Sequence, residues 1–198
     1  MLNPLKYVAM DCEMVGMGPS GTESGLARCS IVDYNGRIVY DKFIKPDGKI
    51  TDYRTPVSGI RPSNMETASP YHTAREEILK ILEGKIIVGH DPRSDFHVLK
   101  ADISQYEVRD TSSCGLLLSK ARLQTDRRAS LKRLCHNLLG RRIQDSYTGH
   151  SSVEDASAAM ELFKLVDKVW ESRLSQGARV EIINRFENRS RYSVNKTA

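Results

Sequence analysis

The sequence predicts an α/β fold in which a five-stranded mixed sheet is flanked by helices. Short apolar stretches typical of strands alternate with stretches whose apolar residues recur at helical spacing. No internal repeat or low-complexity block interrupts this alternation. The 198 residues, 39% hydrophobic and 28% charged, also fit one domain with a core of its own.

The first three strands are expected to form an antiparallel meander. The apolar run at residues 7–16 predicts the first strand, and a loop rich in Gly and Ser follows it. Residues 27–32 and 38–43 predict the second and third strands, because Asn35-Gly36 between them is typical of a tight hairpin turn.

A proline-rich segment follows the meander. Residues 45–70 contain four of the seven prolines, which predicts an extended surface segment without regular structure and argues against a long helix. A stretch of this length without regular structure is usually functional in a compact domain. After it, apolar residues at helical spacing predict a helix over 73–82 that packs on the sheet.

Two further strands are predicted with a helix between them. The short apolar run at 85–89 predicts a fourth, central strand parallel to the first. Asp91 suits a helix N-cap and Pro92 the first helical position, so we expect a helix to begin there. Residues 106–111 predict the fifth strand.

The C-terminal third of the chain predicts two amphipathic helices. Residues 130–139 form the first helical pattern. The second is the longest in the chain and covers 151–171, where Ser151 and Glu154 have the spacing of a capping box. Beyond about residue 173 the pattern fades into a polar, basic tail that we expect to be a short helix or disordered.

Charge and cysteine content favour an intracellular protein with polyanionic partners. The formal net charge is +5 and the pI about 9.0. Four scattered cysteines indicate reduced thiols, and we expect no membrane span and no export. One stretch is crowded with basic residues, which form either a solvated helix face or contacts to phosphates. They are Arg122, Arg127, Arg128, Lys132, Arg133, Arg141 and Arg142.

Two acids, Asp11 and Glu13, interrupt the apolar first strand near its end. Alternate side chains share one face of a strand, so both carboxylates are expected to point the same way. Two like charges there are costly unless a cation sits between them. Taken alone, however, such a pair can also reach solvent or meet Lys and Arg across the sheet.

Asp95 and Asp155 are each expected about one turn into a predicted helix. Either one alone is explained by the preference of helix N-termini for acids. Together with Asp11 and Glu13 they supply four carboxylates from three segments, which suits Mg²⁺ or Mn²⁺. Two such ions, about 3.5–4 Å apart, can activate a water and stabilise the leaving oxygen of a phosphodiester.

His150 lies five residues before Asp155. A lone histidine is more often a surface or turn residue than a catalytic one. Its place beside a predicted metal ligand nevertheless favours a general-base role.

Three segments, DCEMVG (11–16), GHDPRSDF (89–96) and GHSSVEDA (149–156), resemble in order the three motifs of the DEDDh exonuclease family. Residues 26–32 and 52–60 resemble the subfamily of the interferon-stimulated exonuclease and the apoptosis-enhancing nuclease. The resemblance covers about residues 6–172. It implies a ribonuclease H-like fold with an exonuclease domain over residues 1–172 and the basic tail over 173–198.

The implied activity is hydrolysis of single-stranded RNA, and more weakly DNA, from the 3′ end to nucleoside 5′-monophosphates. Four residues are implied as catalytic ligands of two Mg²⁺ or Mn²⁺ ions: Asp11, Glu13, Asp95 and Asp155. His150 becomes the base that deprotonates the attacking water. Met14 and Arg54 are implied to lie near the ribose 2′-hydroxyl and to favour RNA.

Two alternatives stay open at this point. One is a nuclease that acts mainly on DNA. The other is a non-catalytic nucleic-acid-binding adaptor whose acids hold a structural ion. Pro56 stands where the family usually has Arg, which could change the affinity for the substrate backbone. We expect a monomer in the nucleus, including the nucleolus, and the cytoplasm, and antiviral defence is one of the roles that the resemblance suggests.

Overall fold

The computed structural model describes residues 2–124, 127–145 and 149–177. The chain divides into two units, residues 1–165 and residues 166–198. The first unit contains the sheet. In the second, residues 167–177 are helical, and the predicted tail beyond them lies outside the described residues. Among the described residues, no helix has the length and apolarity needed to cross a membrane.

The predicted antiparallel meander forms one half of the sheet. Its strands are β1 (Tyr7–Met17), β2 (Glu23–Asp33) and β3 (Ile38–Lys45). In the predicted turn Gly36 adopts a left-handed φ of 83°, and its N–H donates to the carbonyl of Asp33. The register between β1 and β2 shifts between Glu13 and Met14, which is a bulge beside the predicted acid pair.

The proline-rich segment contains short regular elements, so the prediction of a stretch without regular structure is wrong. They are β4 (Ile50–Asp52), the helix α1 (Thr55–Ser58), a 3₁₀ turn (Pro62–Met65) and β5 (Ser69–Pro70). Pro56 and Pro62 fall in the first turns of these helices, where a missing N–H is tolerated. The prediction that this segment has no long helix is confirmed.

The other half of the sheet is parallel. Helix α2 (Tyr71–Leu82) leads into β6 (Ile86–Gly89), and α3 (Arg93–Val98) leads towards β7 (Glu107–Asp110). Strand β6 pairs in parallel with both β1 and β7. The predicted fourth and fifth strands are therefore confirmed.

The predicted cap of α3 is wrong by one residue. Pro92, not Asp91, is the N-cap, and no side chain bonds the first turn. Asp91 instead has a left-handed φ of 53°, and its backbone N–H donates to Oδ1 of Asp110 at 2.9 Å. Its carboxylate contacts Arg128, and Oδ1 also receives Nε of Arg93 at 3.5 Å, but it bonds no backbone N–H of the helix. Contacts distant in sequence thus override the local capping preference.

Three more helices follow among the described residues of the first unit: α4 (Gly115–Lys120), α5 (Leu131–Leu139) and α6 (Ser152–Lys164). The prediction for α5 is confirmed. Ser130 caps it by accepting the N–H of Arg133 at 3.3 Å, and Gly140 ends it with a left-handed φ of 62°.

The prediction of one helix over 151–171 is wrong in two respects. Helix α6 ends at Lys164, because a tighter turn, in which the N–H of Leu165 donates to the carbonyl of Leu162, follows it. The capping box is also absent. Ser151 is the N-cap but its side chain makes no cap bond. Glu154 receives the backbone N–H of Gln144 instead, at 3.4 Å.

The sheet has the order β5-β3-β2-β1-β6-β7, with β4 paired to β1. All five predicted strands form, and the short β4 and β5 bring the number of strands in the described ranges to seven. Met10 and Cys12 of β1 pack in the main core with residues of α2 and α3. Asp11 and Glu13 alternate with them and point to the other face, where α6 packs on β1. The predicted mixed α/β class is confirmed.

Candidate active site

Three carboxylates from β1 and α6 meet at the centre of the sheet. One oxygen from each of Asp11, Glu13 and Asp155 lies within 4.8 Å of the others. Asp11 and Glu13 share a face of β1, and Asp155 lies in the first turn of α6. Glu13 and Asp155 are buried, with 6% and 4% exposure, whereas Asp11 is half-buried. The structure thus brings together three of the four predicted ligands.

Asp95, the fourth predicted ligand, lies beside this group. It is buried in the first turn of α3 and accepts a hydrogen bond from the backbone of Cys12. Cys12 stands between Asp11 and Glu13, and the Asp95 charge raises the pKa of both. Asp95 is not part of the set within 4.8 Å. Asp95 therefore approaches the acid pair from α3, through its hydrogen bond to the backbone of Cys12.

Burial and mutual repulsion favour the protonated forms of these acids. Burial raises the pKa of Asp11 and of Asp95 well above the usual range for aspartate, and for Asp11 the charges of Asp95 and Asp155 add to the effect. Burial, and then the charge of Asp155, raises the pKa of Glu13 to about 8. Burial also raises the pKa of Asp155. Full ionisation at neutral pH therefore requires a compensating cation.

Two buried oxygens of the site, Glu13 Oε1 and Asp155 Oδ1, have no hydrogen-bond partner among the described residues. An unpartnered buried carboxylate oxygen is costly, and a hard divalent cation satisfies such atoms. The adjacent donors are carboxylates rather than thiolates, which favours Mg²⁺ or Mn²⁺ over soft metals. The residues present therefore fit the predicted ions.

His150 lies at the edge of the acid group, with its Nδ1 3.9 Å from Oδ2 of Asp155 and 33% of its side chain exposed. Its backbone N–H donates to the carbonyl of Val57 in α1 at 2.8 Å. The preceding Gly149 has φ 97°, and a Cβ there would lie 2.2 Å from the backbone nitrogen of Gly59. Close packing on α1 and its C-cap therefore fixes the backbone of His150, while its imidazole remains open to water.

The two predicted substrate residues occupy different positions. Met14 follows Glu13 directly and is half-buried against the main core. Arg54 has a left-handed φ of 50°, and its guanidinium donates to Ser24 Oγ at 3.0 Å and to the carbonyl of Gly21 at 2.8 Å. Arg54 thus braces the loop between β1 and β2. Within the described part of the chain, the remaining N–H groups of its guanidinium have no hydrogen-bond acceptor.

Several residues of the predicted basic stretch are paired with acids. The pairs are Arg128 with Asp91, Lys132 with Asp145, Arg141 with Glu161 and Arg142 with Asp145. Exposed pairs of this kind stabilise the fold little, but they reduce the positive charge that is free to meet phosphates. Phosphate binding by this stretch stays a prediction.

Sequence reasoning missed two features around Asp155. Gln144 donates from Nε2 to Oδ2 of Asp155 at 2.7 Å, and no charge or pattern in the sequence marks this glutamine. Ser152, the first residue of α6, forms a buried hydrogen bond of 2.7 Å with Ser30 of β2. Both serines fall in segments that carry the family resemblance, so a signal for them was present.

Comparison with known proteins decides the family. The family model described as Exonuclease, RNase_T, matches residues 8–163. The chain belongs to this exonuclease family. The apoptosis-enhancing nuclease of Rattus norvegicus is 50% identical over 176 residues, which are 89% of this chain and 53% of that protein. The interferon-stimulated 20 kDa exonuclease-like 2 of Bos taurus is 53% identical over 173 residues, 87% of this chain and 50% of that protein. The predicted subfamily is thereby confirmed.

Another exonuclease relative, RNA exonuclease 4 of Mus musculus, is 44% identical over 167 residues, 84% of this chain and 38% of that protein. The chain spans about half the length of the first two of these relatives and 38% of RNA exonuclease 4.

Solved structures of exonucleases share the fold. The Neurospora crassa Pan2 catalytic unit superposes with a TM-score of 0.68 at 24% identity, covering 94% of this chain and 30% of that one. The Saccharomyces cerevisiae Pan2 exonuclease module in complex with A7 RNA superposes with a TM-score of 0.69 at 25% identity, covering 91% of this chain and 31% of that one. The predicted ribonuclease H-like fold is confirmed.

Proposed function

We propose that this chain is a metal-dependent 3′-to-5′ exonuclease. It hydrolyses single-stranded RNA, and DNA more weakly, to nucleoside 5′-monophosphates. The observation that carries the proposal is the group of Asp11, Glu13 and Asp155, whose ligand oxygens lie within 4.8 Å in a chain of the exonuclease family. The unpartnered buried oxygens of Glu13 and Asp155 support a divalent cation there.

Each residue has one role in the proposed reaction. The four acids, Asp11, Glu13, Asp95 and Asp155, hold two Mg²⁺ or Mn²⁺ ions, which when bound supply the Lewis acidity for phosphodiester hydrolysis. His150 takes the proton from the water that attacks phosphorus, while the bond from phosphorus to the 3′ oxygen of the preceding nucleotide breaks. The exposed imidazole and its fixed backbone support this role.

The preference for RNA is the finer part of the proposal. Met14 follows Glu13 directly in β1, and among the described residues the other guanidinium N–H groups of Arg54 have no acceptor and can donate to the ribose 2′-hydroxyl. A relative is named RNA exonuclease 4, and structural neighbours were solved with RNA. We further propose that residues 1–172 act as the exonuclease domain. The family match over 8–163 lies within that range.

The full chain incubated with Mn²⁺ and a single-stranded oligoribonucleotide labelled at its 5′ end tests this function. A ladder that shortens from the 3′ end is expected, with mononucleotides as the product. A 3′ label should leave at once as a mononucleotide. A matched DNA oligonucleotide at the same salt concentration measures the sugar preference, since ionic strength alone changes nucleic-acid affinity.

Two variants control the experiment. Asp11→Ala should abolish hydrolysis while the fold is retained, whereas Asp47→Ala, which removes an aspartate with a 53% exposed side chain, should cleave like the wild type. Near-normal turnover by folded Asp11→Ala would refute the site. Faster cleavage of DNA would favour the DNA-directed alternative. RNA binding without cleavage under either metal would favour the adaptor.

A further inference from the structure

Gln144 contacts the acid group without being an acid. Its Nε2 donates to Oδ2 of Asp155 at 2.7 Å, and its backbone N–H donates to Oε2 of Glu154 at 3.4 Å. Asp155 binds a cation in its ionised form, which only accepts hydrogen bonds, so in that form the amide nitrogen rather than the amide oxygen must face it. This bond occupies Oδ2 and leaves Oδ1 of Asp155 buried and unpartnered among the described residues.

The backbone at Gln144 has an uncommon conformation that its neighbours hold in place. Its φ of 56° is left-handed, which is unfavourable for a residue with a long side chain. Ile143 beside it is buried with 1% exposure, and Arg141 pairs with Glu161 of α6 at 3.0 Å. Strain that the surrounding structure maintains in this way is characteristic of functional sites.

We propose that Gln144 is a positioning residue for Asp155. This inference rests on the proposed function. The amide fixes the rotation of the Asp155 carboxylate, so that Oδ1 faces Asp11 and Glu13 and the cation that they share. Outer hydrogen bonds of this kind orient a metal ligand, and their loss typically lowers metal affinity about 10- to 100-fold.

The same bond also affects His150. Its Nδ1 lies 3.9 Å from Oδ2 of Asp155, the oxygen to which Gln144 donates. Because the amide and the imidazole both lie near Oδ2, a carboxylate that rotates after loss of the amide would also alter the contact beside the imidazole. Removal of the amide should therefore reduce kcat more than it changes KM for RNA.

The test uses the full chain and two substitutions at this position. Gln144→Met removes the donor at nearly constant size. Gln144→Asn keeps an amide and suits a left-handed backbone, but it is one methylene too short to reach Asp155. Gln105→Met is the matched control, because Gln105 is exposed and, among the described residues, its side-chain amide makes only 3.5 Å contacts to Asp102 and Ser104 of its own turn.

Three measurements separate positioning from folding. Titration calorimetry of the metal-free protein with Mn²⁺, without RNA, measures metal affinity. The Tm in EDTA measures folding, and kcat and KM are measured at saturating Mn²⁺. Both Gln144 variants should bind Mn²⁺ about tenfold or more weakly. Gln144→Asn should keep the wild-type Tm, kcat should fall with KM unchanged, and Gln105→Met should match the wild type.

Wild-type Mn²⁺ affinity in both Gln144 variants would overturn the inference. The inference would also be overturned if only Gln144→Met lost Mn²⁺ affinity and its Tm fell as well, because the amide would then serve folding only. If the wild type binds Mn²⁺ and cleaves RNA normally and both variants match it, only the positioning role of Gln144 is refuted. If the wild type binds no Mn²⁺, the proposed function is refuted as well.

Discussion

Glu13 makes the stability of the metal-free protein depend on pH. Burial, followed by the charge of Asp155, raises the Glu13 pKa from 4.5 to about 8, although Arg28 opposes the increase. Between these values the folded protein holds a proton that the unfolded chain has already lost. The unfolded chain therefore binds fewer protons, and the free energy of unfolding falls as pH rises through this window.

The size of the effect follows from the pKa difference. Each pH unit between 4.5 and about 8 corresponds to about 1.4 kcal/mol, which gives up to ~5 kcal/mol across the window. A change of 1 kcal/mol shifts the Tm of a protein of this size by about 2–4 °C. We therefore expect the Tm in EDTA to fall by ~10 °C between about pH 5 and pH 8.

Differential scanning calorimetry in EDTA from pH 5 to pH 8 measures this, with Glu13→Gln as the test variant. A glutamine imitates the protonated acid, so the variant should be more stable than the wild type at pH 8 and similar at pH 5. Glu23→Gln, at an exposed position of β2, is the matched control and should follow the wild type. Mn²⁺ should raise the wild-type Tm more at pH 8, because the ligands must lose protons to bind it.

The reasoning would be refuted by a wild-type Tm that does not fall between pH 5 and pH 8 while Glu13→Gln gains nothing at pH 8. An equal effect of Mn²⁺ at both pH values would also contradict it. Either result would mean that Glu13 is ionised in the folded protein without a metal ion.

Three further predictions concern catalysis. His150→Ala should lower kcat ~10²-fold with Mn²⁺ affinity retained, and an unchanged pH–rate profile would exclude it as the base. Gly149→Ala places a Cβ 2.2 Å from the nitrogen of Gly59 and should cause a similar loss of kcat with a lower Tm, whereas wild-type kcat would show that the backbone adapts. Arg54→Ala should slow RNA cleavage more than DNA cleavage in a paired assay. An equal loss of cleavage rate on RNA and DNA would mean that Arg54 has only a structural role, through its contacts to Ser24 and Gly21.

The acid pair was predictable because its signal is local. A strand places Asp11 and Glu13 on one face whatever the rest of the fold does. The sequence placed Asp95 near a helix start, and an error of one residue in the cap of α3 does not change that. What it could not show is that Asp91 would bond to Asp110, 19 residues away, instead of capping the helix.

Gln144 was not predictable for a related reason. A neutral residue in a loop carries no charge, periodicity or turn signal. Its importance arises only when α6 brings Asp155 within 2.7 Å of its amide. The same applies to Val57, whose carbonyl receives the His150 backbone N–H across the fold. Positions that act through tertiary contacts have no counterpart in a local pattern.

The acid site weakens the junction between β1 and α6, and a buried polar network opposes this effect. Repulsion between Glu13 on β1 and Asp155 on α6 tends to push the helix start away from the sheet. Ser30 donates its only hydroxyl hydrogen to Asp41 at 2.8 Å, so Ser152 must donate the 2.7 Å bond that joins α6 to β2.

Arg28 completes this network. It holds Asp41 with two bonds of 2.8 and 2.9 Å, and it stands opposite Glu13 in the β1–β2 register, where its charge lowers the Glu13 pKa. One arginine therefore anchors the network that ties down α6 and also reduces the charge imbalance that would displace the helix. A cation bound between the carboxylates would act in the same direction.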